Sequence, residues 1–406
     1  MAHADVEVMR AHLGMFVDEQ LPDLDPVIAH ETTSSGWRGL TAQGEVLEVR
    51  RPSNGHDAEM PAEIVVARDG VPVGRRAVRN DHQVKIDDYL DHFNKAVASY
   101  RVNDMVQALS EADKTMVTAP TLRARFNRAI ILLGAGRWDE GFEQYWRCEQ
   151  EEPLMRPQAR AALDAGLRPW RGEDLHGKRI LVMHAHGFGD SIMMLRYVPI
   201  LQVTGAEVVL MMPPELERLA AQHAMVTPEF VDADFFCPIL HLLHWLHVGP
   251  EDVTDDPYLK TDLKDVMRWH DRIGQGRNIG VAWSVKSSSF NDYPRAVGLE
   301  RLVASLPGGA EIHSVQAQDA EDAAKFGVKT YTFADFADCA ALMVCMDAIV
   351  SVDTAALHLA GAIGHPRVSG LLSYWHSWRW LVPWYMNVKL CRQRSDCDWS
   401  SVLAQI

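Results

Sequence analysis

The chain has 406 residues, of which 47% are hydrophobic and 23% charged, and its formal net charge is −15. This length predicts two to four domains, and the composition is that of an ordinary globular protein. The acidic balance disfavours nucleic acid and anionic membrane surfaces as partners, because both repel a negative surface.

The sequence predicts a cytoplasmic protein without a membrane span. Its first residues, MAHADVEVMR, lack the apolar stretch of a secretory signal, and no run approaches the roughly 18 apolar residues of a transmembrane helix. The six cysteines are scattered without CxxC spacing, which is typical of reduced thiols.

Residues 1–83 are predicted to form a small N-terminal module rich in β-structure. Short apolar runs at 45–49 and 63–67 are separated by Gly, Pro, Asn and Asp. This alternation favours short strands and turns, and it indicates no function.

Residues 84–160 are predicted to be helical, and their pattern repeats. Residues 93–97 recur as residues 126–130, 33 positions later, and Pro120 and Pro153 share that offset. A unit of this length resembles the tetratricopeptide repeat (TPR). Two copies are few for a solenoid, so the array should pack against a neighbour. It is either a groove that docks a protein or a helical spacer.

Residues 161–277 are predicted to be a first Rossmann-like lobe that ends in a hinge. An apolar run at 180–183 predicts a strand buried on both faces, followed by a helix at 191–203 and a strand at 208–212. The stretch 250–277 is charged and punctuated by Pro and Gly, as expected of a hinge.

Residues 278–406 are predicted to be a second Rossmann-like lobe, whose C-terminal segment is a candidate for crossing back to the first. Its predicted strands are 279–283, 312–315, 348–352 and 368–372, with helices near 299–306, 335–346 and from Thr354. The fold class is therefore α/β, with two lobes facing a cleft. Ligands should bind at the carboxyl ends of the strands.

The strongest local feature is the string DAIVSVDTAALHLAGA at 347–362. An apolar strand runs into Asp353 and Thr354 and then into a helix of small residues. The first free N–H groups of this helix, such as that of Ala355, would face the cleft, where the helix dipole favours a phosphate. His358 lies on the same helical face. Alternatively, Asp353 is only a helix cap and His358 a hydrogen-bonded core histidine.

The second feature is the turn HAHGFGDS at 184–191, directly after the first strand of the first lobe. Gly187 and Gly189 let the backbone turn tightly and approach a ligand. Asp190 is placed to accept a proton from an acceptor hydroxyl that attacks a sugar carbon. Since Asp is also a common N-cap residue, a structural role stays open.

The stretch 120–400 resembles bacterial glycosyltransferases in which tetratricopeptide repeats precede a domain similar to the ADP-heptose:lipopolysaccharide heptosyltransferases. The matching strings are 134–147, 169–172, 187–197, 280–283, 335–364, 378–380, 384–385 and 392–393. Their order and spacing hold over about 230 residues of the enzyme domain. The resemblance implies the two-lobed GT-B fold and a metal-independent, inverting transfer from a nucleotide-sugar, without a cofactor.

The resemblance also implies roles for the two strings. Asp190 becomes the general base. Asp353, Thr354 and Ala355 become the cradle of the donor diphosphate, with His358 in the same site. Gly187 and Gly189 belong to the predicted nucleotide-sugar site as well.

Four further residues are predicted to contact the nucleotide-sugar, namely Trp283, Lys286, Arg295 and Arg379. Lys286 either adds positive charge near the diphosphate or is a solvated loop lysine. Arg295 and Arg379 match basic positions of the family, and either could neutralise leaving-group charge where a divalent metal acts in other transferases.

Two departures and two alternatives bear on the function. Ala185 and His186 occupy positions at which members of the family commonly have Glu-Gln. This difference leaves open how the acceptor is recognised and whether a second side chain assists the general base.

The acceptor is either a flagellin-like protein docked through the repeats or a cell-surface glycan. The alternatives are a nucleotide-sugar epimerase, and a TPR adaptor with a non-catalytic GT-B domain.

These features together predict one geometry. The helix that begins at Thr354 should aim its amides across a gap at the carboxylate of Asp190, leaving room for an activated sugar. Two elements on opposite outer faces, or a gap filled with packed side chains, would contradict the transferase interpretation.

Overall fold

A computed structural model describes residues 5–6, 23–33, 36–41, 43–44, 46–50, 63–68, 71–83, 86–151, 157–285, 295–317, 320–374 and 377–406. The chain divides into two compact units, Met1–Leu154 and Met155–Ile406. The predicted division into four parts, at residues 83, 160 and 277, stays a prediction. Over the described ranges, every helix is too short or too polar to cross a membrane.

The first unit contains a six-stranded mixed sheet. Its strands are β1 (Asp5–Val6), β2 (Asp23–Thr33), β3 (Gly36–Thr41), β4 (Val46–Arg50), β5 (Glu63–Arg68) and β6 (Val71–Gln83). They stand in the order β1-β4-β3-β2-β6-β5. The β1–β4 and β2–β6 pairs are parallel, and the other pairs are antiparallel.

Four helices follow where two repeats are predicted. They are α1 (Ile86–Arg101), α2 (Met105–Thr118), α3 (Leu122–Gly134) and α4 (Trp138–Glu149). One apolar cluster joins them to the sheet, since Ala29 and Leu40 pack with Ile86, Tyr89 and Phe93 of α1. The helices therefore do bury an apolar face against a neighbour, as a short array requires.

The second unit holds two all-parallel five-stranded sheets, which confirms the predicted α/β class. The strands of the first lobe are β7 (Arg168–Pro169), β8 (Arg179–Met183), β9 (Glu207–Met211), β10 (Met225–Thr227) and β11 (Phe235–Pro238). Its helices are α5 (Pro157–Asp164), α6 (Phe188–Met194), α7 (Val198–Val203), α8 (Glu217–Ala220) and α9 (Leu242–Trp245), and α10 (Leu263–Ile273) lies in the predicted hinge. The strand order is β10-β9-β8-β11-β7.

The second lobe repeats this arrangement. Its strands are β12 (Asn278–Ala282), β13 (Glu311–Ser314), β14 (Ala348–Val352), β15 (Val368–Leu372) and β16 (Val388–Arg392), in the order β13-β12-β14-β15-β16. Its helices are α11 (Leu299–Ser305), α12 (Ala320–Lys325), α13 (Phe336–Val344), α14 (Ala355–Ala362) and α15 (Trp399–Leu403). Short 3-10 helices span Leu195–Tyr197, Pro214–Leu216, Ile239–His241, Pro250–Asp252 and Trp378–Leu381.

The strand orders identify where a ligand site belongs. In the first lobe β9 and β11 flank β8, and in the second lobe β13 and β14 flank β12. The direction of chain progression reverses at β8 and at β12, and such switch points open a crevice at the carboxyl ends of the strands. The Gly-rich turn follows β8, and Asp353 follows β14. Both predicted strings thus lie at switch points.

Candidate active site between the two lobes

Asp190 lies in the first turn of α6, directly after the Gly-rich turn. The backbone leaves β8, passes through His186 at a φ of +67°, and reaches Gly187, the N-cap of α6. The backbone N–H of Gly187 donates to Asp190 Oδ2 at 3.4 Å. Asp190 is therefore not the N-cap residue of α6, but its side chain accepts from the N-cap backbone from the third helical position, which is a structural role of its own.

The other carboxylate oxygen of Asp190 faces the second lobe. Arg379, from the 3-10 helix Trp378–Leu381, donates through Nε to Asp190 Oδ1 at 2.5 Å. Burial of this carboxyl works to raise its pKa, but the charge and the hydrogen bond of Arg379, together with the neighbouring imidazoles, outweigh burial and the pKa is lowered. Asp190 is consequently an ionised, paired carboxylate at neutral pH.

Gly189 brings α6 and α14 into direct contact. A Cβ built on Gly189 would lie 2.9 Å from Cδ2 of His358 and 3.4 Å from the Cα of Ala355. Glycine is needed here because no side chain fits. The predicted facing of the two elements is thus observed, but the expected gap between them is not. The reason is that Gly189 and Ala355 carry too little side chain to hold the helices apart.

We expect Gly189→Ala to destabilise the protein. The added methyl group must displace the ring of His358 or shift α14, and overpacking of this kind costs about 1–3 kcal/mol in free energy of unfolding. Urea unfolding measures the loss. Gly187→Ala is the matched control, since a Cβ there would meet only Asp190 Oδ2, at 3.9 Å. Equal losses in both variants would show that the contact at Gly189 is not tight.

His358 is a buried imidazole at this contact. Its side chain shares a hydrogen bond with Tyr385 OH through Nδ1 at 3.0 Å and stacks on Trp380, with 4.6 Å between ring centroids. Burial lowers the pKa of His358 to about 4, although the charges of Asp353 and Asp190 act in the opposite direction. His358 is therefore neutral at physiological pH, and it has the contacts of a hydrogen-bonded core histidine.

The low pKa of His358 predicts a loss of stability in acid. Between pH 6.5 and 4 the unfolded chain binds a proton on this imidazole and the folded chain does not, so the free energy of unfolding falls as the pH falls. The difference corresponds to about 3 kcal/mol. Between pH 7 and 4, wild type should lose about this much more stability than His358→Gln. Parallel curves for the two proteins would contradict the lowered pKa.

The start of α14 has basic and aromatic neighbours but no side-chain cap. Thr354 is the N-cap residue, and its side chain makes no capping hydrogen bond. Asp353 Oδ1 instead accepts from Trp380 Nε1 at 2.7 Å. Arg295 Nη1 donates to the carbonyl of Asp353 at 3.1 Å and lies 3.8 Å from its Oδ2. Among the residues placed by the structure, none accepts a hydrogen bond from Ala355 N–H, as expected in a first helical turn.

Two predicted residues are not among those brought together. The ring of Trp283 packs in the core of the second lobe with Val297 and Leu299 and is 4% exposed. The ring is thus part of the packed core of this lobe and presents almost no surface to a ligand. Lys286 lies outside the described residues.

Gln316 organises the edge of the second lobe, and the sequence pattern did not single it out. Its Oε1 accepts from the N–H groups of Trp283 and Ser284 at 2.8 and 3.2 Å, and its Nε2 donates to Ser284 Oγ at 2.8 Å. Gln316 therefore fixes the backbone that leaves β12. A polar residue directly after the predicted strand 312–315 was the available signal.

Comparison with known proteins finds sequence and structural similarity. No family model matches the chain. Protein FlbA from Caulobacter vibrioides (strain ATCC 19089 / CIP 103742 / CB 15) is 24% identical over 447 aligned positions, which cover 96% of this chain and 74% of that protein.

Two solved structures are similar to parts of the chain. A glycosyl transferase family 9 protein from Veillonella parvula DSM 2008 is 12% identical, with a TM-score of 0.40 over 54% of this chain and 87% of that one. ADP-heptose lps heptosyltransferase II from E. coli is 13% identical, with a TM-score of 0.39 over 56% of this chain and 99% of that one. At these scores the fold assignment rests on the order and pairing of the strands.

Proposed function

We propose that the chain is a glycosyltransferase that moves a sugar from a nucleotide-sugar to an acceptor hydroxyl. The main support is that the Asp190 carboxylate, at the switch point of one parallel sheet, meets the Arg379 guanidinium of the other lobe. Such a transfer needs a base for the hydroxyl and positive charge for the departing diphosphate. These two side chains supply both.

The donor diphosphate binds at the start of α14 in this proposal. The N–H of Ala355 and the helix dipole favour a phosphate there, and Arg295 beside Asp353 adds positive charge. Asp190 takes the proton of the acceptor hydroxyl, whose oxygen forms the new bond to the anomeric carbon. The bond from that carbon to the diphosphate breaks on the opposite face, which inverts the configuration. Arg379 neutralises the diphosphate in place of a metal.

The contact between α6 and α14 has a consequence for this mechanism. Because Gly189 touches His358 and Ala355, the lobes must separate there before a nucleotide-sugar fits. The incoming diphosphate then draws Arg379 away from Asp190, and Oδ1 becomes free to accept a proton. A base that stays paired until the donor arrives does not activate water, and closure around the substrates suppresses donor hydrolysis.

The helices α1 to α4 are proposed as two TPR-like repeats that dock a polypeptide acceptor in the cytoplasm. Phe93 lies in α1 and its repeat partner Phe126 in α3, so the offset of 33 residues corresponds to one helix pair. A flagellin-like protein suits such a groove, and a cell-surface glycan is the other acceptor class.

A second candidate is an adaptor whose sugar-binding domain is not catalytic. The direct contact at Gly189 favours it, because a filled crevice needs no opening if no donor binds. Ala185 and His186, in place of Glu-Gln, favour it as well. Asp190 and Arg379 would then form a purely structural ion pair.

Thermal unfolding in the presence of ADP, UDP, GDP, CMP and dTDP separates the two candidates. A ligand at 100 times its dissociation constant stabilises the folded state by about 2.7 kcal/mol, which raises the Tm by several degrees. The transferase should respond to one of these nucleotides. No response to any of them at millimolar concentration would contradict the transferase and favour the adaptor.

A further inference from the structure

Arg196 is the only buried arginine in the described part of the chain, and the proposed mechanism does not use it. It lies in the 3-10 helix Leu195–Tyr197, which continues α6 beyond Asp190, and it is 7% exposed. Removing a guanidinium from water costs several kcal/mol, so an arginine in this place requires a specific set of partners.

The partners of Arg196 come from three parts of the second unit. Its Nε donates to the carbonyl of Met193 in α6 at 3.1 Å. Its Nη1 donates to the carbonyl of Thr254 in the hinge and, at 2.9 Å, to that of Trp384 in the second lobe. Its Cζ also lies 4.6 Å from the ring centroid of Tyr258, 4.9 Å from that of Tyr385 and 5.3 Å from that of Trp384. One cation therefore joins both lobes and the hinge.

Tyr385 links this cation to the candidate site. Its ring packs so closely on α14 that a Cβ on Gly361 would clash with the tyrosine Cγ. Its hydroxyl holds Nδ1 of His358 at 3.0 Å, and His358 is the residue that touches Gly189. A side chain of the first lobe thus reaches the contact between α6 and α14 through a single tyrosine.

Stability alone does not account for Arg196. Its buried Nη2 has no carbonyl or carboxylate acceptor among the described residues, and the polar groups beside the guanidinium are the hydroxyls of Tyr258 and Tyr385. Where a buried charge is incompletely satisfied, an apolar side chain of similar volume is often neutral or stabilising. The arginine is therefore better explained by what it orients.

We propose that Arg196 is a positioning residue, which holds Tyr385 so that Tyr385 fixes the ring of His358 at the contact between α6 and α14. The consequence for sugar transfer rests on the proposed function. The positioning itself does not depend on any substrate.

The test follows the imidazole nitrogens of His358 by NMR in the full-length protein labelled with ¹⁵N-histidine. His358→Gln assigns the signal by its loss, and Tyr385→Phe gives the signature of a lost hydrogen bond at Nδ1. Arg196→Met should move the signal of His358 toward that signature. Its urea unfolding curve, measured alongside, shows that the variant is folded under the conditions in which the signal is read.

Two further variants separate geometry from charge. Arg196→Lys keeps the charge but lacks the planar fork that reaches three carbonyls and three rings, so it should behave like Arg196→Met. Arg218→Met is the matched control, because Arg218 also joins the lobes, through Asp335 at 2.5 Å, and the signal of His358 should not move. If Arg196→Met does not fold, Arg196→Lys provides the test.

Three outcomes would overturn the proposal. The signal of His358 stays at its wild-type position in Arg196→Met, or Arg196→Lys retains the wild-type signal, or Arg218→Met moves it equally. The result is independent of the nucleotide screen. If no nucleoside diphosphate binds wild type, the proposed function fails and the positioning of His358 still stands or falls on the NMR signal.

Discussion

Asp190→Asn should abolish sugar transfer and leave nucleotide binding intact or tighter. Loss of a general base lowers turnover by about 10²–10⁴-fold. The amide has the size of the carboxylate and still accepts from Arg379 through Oδ1, so the fold should persist. Since Asn carries no charge, Arg379 is released more easily, and we expect the dissociation constant of the diphosphate to fall about fivefold, which is about 1 kcal/mol.

The measurement combines initial rates of transfer with calorimetric titration of the nucleoside diphosphate found by thermal screening. Asp256→Asn, at an exposed position of the predicted hinge, is the matched control and should change neither quantity. Transfer at the wild-type rate in Asp190→Asn would exclude Asp190 as the base. Weaker binding of the diphosphate would contradict the proposal that Arg379 leaves Asp190 to bind the diphosphate.

The strands that frame the site are predictable because their local sequence suffices. β14 and β15 are mostly apolar segments, and their observed bounds, Ala348–Val352 and Val368–Leu372, are those that the pattern predicts. β16 is not predictable in this way. It is the edge strand of its sheet, and its exposed Lys389 interrupts the apolar run before the buried Cys391.

The composition of the site is predictable only in part, for a physical reason. A Gly-rich turn after a buried strand fixes the position of Asp190 locally. Its partner Arg379 is 189 residues away, and the pairing depends on how the two lobes meet. The direct contact between α6 and α14 is equally unpredictable from the sequence, because a glycine that leaves room for a ligand also leaves room for a neighbouring helix. Sequence alone does not distinguish the two uses of Gly189.

Arg379→Gln should lower the free energy of unfolding by about 3 kcal/mol or more, because it leaves the carboxylate of Asp190 buried without its cation. The side chains of Arg379 and Asp190 are 22% and 11% exposed, so solvent screens this pair little. Burial would then act on Asp190 with less opposition, and its pKa should rise. Urea unfolding at pH 7 measures the loss.

Combining Arg379→Gln with Asp190→Asn should restore most of that stability, because the buried charge is then gone. The double-mutant cycle should give a coupling free energy of about 2–3 kcal/mol, whereas additive losses would show that the pair contributes nothing. The same variants also test whether Arg379 leaves Asp190 when the diphosphate binds. With Gln at position 379, Asp190→Asn should no longer tighten binding of the nucleoside diphosphate, since no guanidinium is left to release. Tightening that persists would instead indicate direct repulsion between Asp190 and the diphosphate.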